Sequence, residues 1–531
     1  MKSLQFSSMN SKGIFLSLSI LVYLFIILFG CQPNDGNSGG DGDQTSGIES
    51  GIKIIIRTGS EAPGSPGTQF HMLTSLALNN SGQVAFKATL VGGGVTNDND
   101  EGIWVGDSES LVLVAREGAN APGIGGNHFG DTMFLTEAPL LNDDGQIAFK
   151  ARFSPGGPIG PASQGIWVGT AESLSLVTRS GASVPGVESS TFRLFDDLRL
   201  NGVGQVAFKA TLMGPYITGE IDEGIWSGSS GNLSMIKRKA PDIIVSTERP
   251  AFDGLSINDD GRVMLRAQFP PTVTQVTEPS GASGVQVHYN YGIFMRPPIN
   301  GSDLLVRPGD PARGAYVFEY LNEPAFNSDS NYAFAASYSA PHDDENSGIW
   351  FTREGNKFVV VTEKARPPGT PADIEFSDFA GVKVALNNED EIAFRAGLRG
   401  TGVTDANNIG IWAGTRGDLS LVARTGSSAV GAPGATFYFL SENHLNNAGD
   451  VAFMAILAGS GVSSNSDKGI WATRQGNLSL VAREGDSYEV APGLIRTVIE
   501  LKTRFAFNDL GQVAFLARFS DDTIGLVVVT P

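Results

Sequence analysis

The chain has 531 residues, 41% hydrophobic and only 18% charged, so a wholly disordered protein is excluded. Its net charge of −19 argues against a general nucleic-acid binder, which needs a basic footprint. A single cysteine excludes a disulfide framework and any multi-cysteine metal site, and five scattered histidines leave little room for a His-rich centre.

In chain order, the first element reads as an export signal. Lys2 and Lys12 are the only charges before an apolar run from Ile14 to Gly30. That run suits a long signal-peptide core and is slightly short for a spanning helix. Leu28-Phe29-Gly30-Cys31 resembles the bacterial lipobox, although Phe29 is bulkier than usual there. The reading is cleavage after residue 30 and acylation, palmitate included, at Cys31, in preference to an uncleaved signal anchor. Several acyl chains hold a protein on a membrane stably where one would not. Gln32 is not the aspartate that retains many lipoproteins on an inner membrane, so an outer membrane is preferred in a diderm host. Residues 31–50 are Gly, Ser, Asp and Asn with almost nothing apolar, which makes a flexible tether with a reach of roughly 25 Å.

From residue 51 onward the chain repeats itself. Asn-x-x-Gly-x-x-Ala-Phe starts at Asn79, Asn142, Asn201, Asn446 and Asn508, with altered copies at Asn258, Asn327 and Asn387. The eight starts are spaced 63, 59, 57, 69, 60, 59 and 62 residues apart. Gly-Ile-Trp follows six of the starts and holds all six tryptophans, Trp104, Trp167, Trp226, Trp350, Trp412 and Trp471, with Gly292-Ile-Phe294 as the fourth copy and Gly525-Leu-Val527 as the eighth. Leu-x-Leu-Val-x-Arg then ends at residues such as Arg116, Arg238 and Arg483, and Pro-Gly often closes the unit.

Each motif predicts a local structure. Asn with Gly three residues on is turn chemistry. Gln83-Val-Ala-Phe-Lys-Ala88 alternates with period two, which predicts a strand. Apolar residues before each Asn, the Gly-Ile-Trp segment and the Leu-x-Leu-Val-x-Arg segment predict three more. Eight four-stranded units with no helix period predict an all-β chain and a single eight-bladed β-propeller. Residues 52–57 are a fourth-type strand with no preceding blade, and the last repeat lacks its own fourth strand, so the first strand should close the ring. A β-solenoid is the alternative.

The repeat resembles the bacterial NxxGxxAF tandem-repeat family of exported, variably anchored proteins, over about residues 51–531. The resemblance implies export and repetition. It implies no activity and no catalytic residue.

Candidate sites are few. The tryptophans read as filler between blades before they read as a carbohydrate-stacking surface. Asn97-Asp-Asn-Asp-Glu101 and Asp343-Asp-Glu-Asn346 have the composition of calcium loops, but capping before a strand explains those positions as well. No other cofactor or metal is implied. Glu137, Asp196, Asp197, Glu323 and Glu442 precede their Asn residues, so an innermost first strand would place them around a channel. There they could hold a cation or basic ligand, or pair with Lys87, Lys150, Lys209, Arg266 and Arg395 across strands. The fourth repeat carries about eleven extra residues in 269–291, including His288, Tyr289 and Tyr291. Hydrogen-bonding aromatics of this kind suit recognition, so this segment is expected to project and contribute to binding. No nucleophile elbow, P-loop or HExxH is present.

The expectation is a membrane-anchored envelope lipoprotein acting as a binding or interaction scaffold, with a glycan or protein as ligand and no nucleic acid. The alternative is an envelope polysaccharide hydrolase or lyase on the same scaffold.

Overall fold

The computed structural model describes residues 51–130, 137–154, 163–215, 217, 222–239, 252–269, 272–277, 283–288, 291–297, 303–339 and 346–531. The described residues form strands joined by turns and loops, in an eight-bladed β-propeller of four-stranded blades. The first blade shows the plan. Thr68–Leu78, Val84–Gly92, Glu101–Gly106 and Val112–Arg116 pair in that order as an antiparallel meander. Blade three repeats it with Thr191–Leu200, Val206–Met213, Glu223–Ser229 and Asn232–Arg238. The first strand of each blade lines the channel.

Closure follows the predicted route. The eighth blade runs Leu494–Phe507, Val513–Phe519, Ile524–Val529, and its outer strand is Ile52–Arg57 from the other end of the chain. Ile52 lies opposite Val529, and Arg57 opposite Gly525. Arg57 is thereby the eighth copy of the outer-strand arginine. It donates to the Thr523 hydroxyl and pairs with Asp521 at 2.7 Å. A closed ring has no place for the solenoid alternative.

Both faces of each blade are buried, because each is covered by a neighbour. Alternation sends Phe86, Ala88 and Trp104 toward the eighth blade, where they pack with Leu516, Leu526 and Val528. Ala85 and Ile103 point the other way and meet Phe149 and Trp167 of the second blade. The Ala-Phe motif is therefore a small residue and a large one on opposite faces. The core falls into eight clusters, one at each blade interface.

The tryptophans are filler, as expected, and all six are fully buried. Phe86 stacks on Trp104 with centroids 6.1 Å apart, and Phe70 meets its edge at 4.8 Å. The indole folds back over Gly102, where any Cβ would collide with it. Five indole N–H groups donate to the loop that enters the blade, as Trp104 Nε1 does to the Pro63 carbonyl at 3.0 Å. Trp350 is the exception: its buried N–H has no partner among the described residues. In the fourth and eighth blades Phe269 and Phe519 lie over Gly292 and Gly525 in place of the indole.

The repeated Asn does more than cap a turn. Asn79 Oδ1 accepts the Gln83 N–H at 2.9 Å, closing the turn, and Nδ2 donates to the Asn142 carbonyl of the next blade at 3.0 Å. Asn142 does the same to Asn201, and the relay continues through Asn258, Asn327, Asn387, Asn446 and Asn508. Asn508 completes it by donating to the Asn79 carbonyl at 2.9 Å. Eight carboxamides thus form a circuit that exists only when the ring is shut.

Candidate functional site

The channel is lined by the first strand of each blade, and the position four residues before each Asn decides its character. Around the ring this position holds Ser75, Ala138, Asp197, Gly254, Glu323, Lys383, Glu442 and Arg504, all partly or fully exposed. At Ser75 and Asp197 the backbone is left-handed, with φ of 47° and 53°, beside a break in strand register. These bulges re-aim side chains away from the sheet.

The acids predicted to surround the channel are there, but they do not form an open acidic ring. Glu137 pairs with Lys150 at 2.8 Å. Asp196 lies directly opposite Lys209, 3.1 Å away, and 3.7 Å from Lys150. Burial would raise the Asp196 pKa, but Lys209 and Lys150 overcome it and hold that carboxyl below its usual range. Asp197 pairs with Arg199 at 2.6 Å, and Glu442 with Lys383 at 3.5 Å. Glu323 makes no ion pair with the described residues. Pairing with the basic residues, the second of the two expectations, is therefore what Glu137 and Asp196 do, across strands in the case of Asp196 and Lys209.

The basic residues after Ala-Phe have a second role that the sequence did not disclose. They reach the inner strand of the next blade. Lys150 donates to the Phe195 carbonyl at 3.2 Å, Arg266 to Leu321 at 2.6 Å and Arg395 to Leu440 at 3.0 Å. Arg266 is also held by both oxygens of Asp253. Burial pushes the Lys87 ammonium down to about 8, against the pull of Glu101 and Glu137.

One cavity of about 300 Å³ opens where the first, second, third and eighth blades meet. Lys87, Lys150, Arg199, Arg504 and Glu137 converge on it, over an apolar floor that includes Phe149 and Leu198. Arg504 is exposed and has no side-chain hydrogen bond or ion pair with the described residues. Reasoning from sequence missed Arg504 and Arg199, because neither belongs to a repeated motif. Arg504 could have been found by its register: it stands where Glu323 and Glu442 stand in their blades.

The fourth-blade segment is a hairpin, Thr272–Thr277 against Ser283–His288, in a two-stranded sheet of its own. His288 ends the second strand opposite Thr272. Tyr289 lies outside the described residues. Tyr291 corrects the expectation: it begins the third strand, is 1% exposed, and packs beneath the Arg266 guanidinium at 4.4 Å. A residue at the start of that strand is drawn into the interface, so Tyr291 offers no surface for recognition.

Among the described residues no three metal-ligating side chains gather at one point. The loop before the third strand is instead held by its own caps: Asn99 Oδ1 accepts the Thr96 N–H at 2.9 Å, and Arg116 Nε donates to the Asn99 carbonyl at 2.9 Å. Residues 343–345 of the other calcium-like loop lie outside the described residues, and so does Cys31.

Fold and channel together define a closed β-propeller with a charged central channel. The chain belongs to a family of unknown function, DUF7453, whose profile matches residues 46–281 and 274–531. The two matches meet in the fourth-blade hairpin. No curated protein matches the sequence. Among solved structures, the chain is similar to the β-propeller domain of the Trilobed protease from Pyrococcus furiosus, at 10% identity and a TM-score of 0.38, covering 78% of this chain and 97% of that one. It is similar to a prolyl endopeptidase at 11% identity and a TM-score of 0.41, covering 85% of this chain and 55% of that one. It is also similar to polysaccharide lyase Uly1 at 12% identity and a TM-score of 0.33, covering 82% and 94%. The chain thus spans about half the length of the endopeptidase.

Proposed function

We propose that the protein is a lipid-anchored envelope scaffold that captures a ligand in its propeller channel. The observation that carries this reading is the division of labour along the chain. The Asn, Ala-Phe, Gly-Ile-Trp and Arg motifs are all engaged in blade packing and closure. The residues left exposed are the varied, charged ones of the inner strands. Cys31 and the tether behind it supply the anchor. Calcium, the fourth-blade residues His288 and Tyr289, and the acids Glu323 and Glu442 remain part of this proposal as candidate ligand contacts.

The experiment has two arms. Cys31→Ser should abolish acyl labelling and leave an unprocessed precursor; labelling that survives overturns the anchor. The full chain, purified in detergent, is screened against envelope glycans. Saturable binding without new products supports the scaffold. Turnover would favour the second reading, an envelope polysaccharide hydrolase or lyase. The feature on its side is an amine brought down to about 8, Lys87, in the same cavity as the Glu137 carboxylate.

A further inference from the structure

We propose that the cavity between the first, second, third and eighth blades is a carboxylate-binding subsite, and that it takes an acidic sugar residue of the captured ligand. The proposal rests on the binding reading above and names the ligand class for it. Among the described residues, four cations and one carboxylate, Glu137, line a space of about 300 Å³. This gathering of positive charge is notable in a chain of net charge −19. Cationic walls of low dielectric focus an attractive field on an incoming anion.

The cations are not equivalent. Lys150 is nearly fully buried and held by Glu137 and Asp196, so its charge is largely answered within the protein. Arg199 is tied to Asp197 at 2.6 Å and to the Leu255 carbonyl at 2.8 Å. Arg504 is different. It projects from the eighth blade with its fork unengaged by the described residues, and a planar guanidinium suits a carboxylate bidentately. Lys87 reaches the cavity from the first blade. It is the second anion contact, alongside its own interactions.

Glu137 narrows the ligand further. It keeps 42% of its side chain exposed while one oxygen takes the Lys150 ammonium at 2.8 Å. A carboxylate in the wall opposes a phosphate dianion but accepts hydrogen bonds from hydroxyl groups. A monoanion bearing hydroxyls answers both kinds of group: carboxylate toward Arg504 and Lys87, hydroxyls toward Glu137, beside which Lys87 lies, 3.4 Å from its backbone carbonyl. Phe149 and Leu198 supply an apolar floor for the ring.

The site has a pH signature. The groups facing Lys87 are Glu101 on its own blade, Glu137 on the next, and Lys150, Arg199 and Arg504 across the cavity. Burial lowers Lys87 to about 8, so its charge is present at pH 7 and lost as pH rises through 8. Anion affinity should fall over that range.

The test uses calorimetry on the full chain in detergent at low salt, with galacturonate, galactose and inorganic phosphate as probes. Galacturonate should bind and galactose should not. Arg504→Gln should weaken galacturonate at least tenfold, and Arg518→Gln, an exposed pair with Asp522, should not. Lys87→Arg should retain binding and remove the loss above pH 8. Arg504 is exposed, so a melting curve like that of the parent will show that its variant is folded. Equal binding of galactose, stronger binding of phosphate, or an unchanged Arg504→Gln affinity would each overturn the subsite. If galacturonate fails while an envelope glycan still saturates the protein, the subsite falls and the scaffold stands. If products form with Arg504 still required, the subsite stands and the scaffold gives way to the enzyme.

Discussion

Deleting residues 51–57 tests the closure of the ring. The deletion removes the outer strand of the eighth blade and uncovers Val527–Val529, all buried in the intact protein. Ile55 is 7% exposed, and Ile52, Ile54 and Ile56 are half-buried. A fully buried isoleucine contributes about 1.5–3 kcal/mol, so one full and three half burials contribute about 5 kcal/mol. The strand's backbone hydrogen bonds, at about 1 kcal/mol each, are roughly offset by the entropy of ordering its residues. Arg57 adds a partly exposed pair with Asp521, worth about 1 kcal/mol or less. The expected loss is about 5 kcal/mol against the 5–15 kcal/mol that a domain typically has. Urea titration followed by tryptophan fluorescence reads it directly, because Trp104 shares a packed cluster with Ile55. The midpoint should fall sharply, with Trp104 in the first part of the structure to loosen. An unchanged midpoint would refute the argument that the first strand holds the ring shut.

Two further outcomes follow from single side chains. Burial, with Glu101 and Asp100 beside it, raises Glu117 from its ordinary range to about 8. Between its unfolded value near 4.5 and about 8 the folded state therefore holds the extra proton, and stability from this group is lost as pH rises through that window. Glu117→Gln should flatten this loss, by at most about 4 kcal/mol, when urea midpoints at pH 5 and 8.5 are compared; parallel pH profiles would contradict it. Trp104→Phe and Trp350→Phe remove the same ring volume, but only Trp104 gives up a hydrogen bond, to the Pro63 carbonyl. Trp104→Phe should cost about 1–2 kcal/mol more than Trp350→Phe, and equal costs would show that the bond contributes nothing.

The architecture was legible because the same motifs recur around eight units and their period is short. Strand alternation, turn chemistry and the unmatched strand at each end are local properties, and together they led to a closed ring. Relations between repeats were not legible. Nothing near Asn79 in sequence reveals that its amide reaches Asn142, since that bond depends on the angle between blades. Phe294, which stands where six other repeats carry tryptophan, reads in sequence as a departure from the repeat. The structure places Phe269 over the glycine instead, so the space is filled from a different position. Tyr291 was misplaced for a related reason. In sequence it adjoins the inserted segment, yet it occupies the first position of a regular strand and follows the rules of the blade.

The channel residues were only half legible, and the cause is physical. Recurrence in sequence identifies what eight blade interfaces need in common. A ligand is not eightfold symmetric, so the residues that hold it must differ from blade to blade. The position four before each Asn meets that condition: serine, alanine, aspartate, glycine, glutamate, lysine, glutamate and arginine occupy it in turn. None of these side chains is buried in an interface, so blade packing leaves them free to vary. The inner strand is also where a bulge at Ser75 or Asp197 can turn a side chain without disturbing the outer strands. On the binding reading proposed above, specificity would be set by this ring of varied residues, carried on a scaffold of eight alike blades. Arg504, the unengaged cation of that ring, is where its ligand should be anchored.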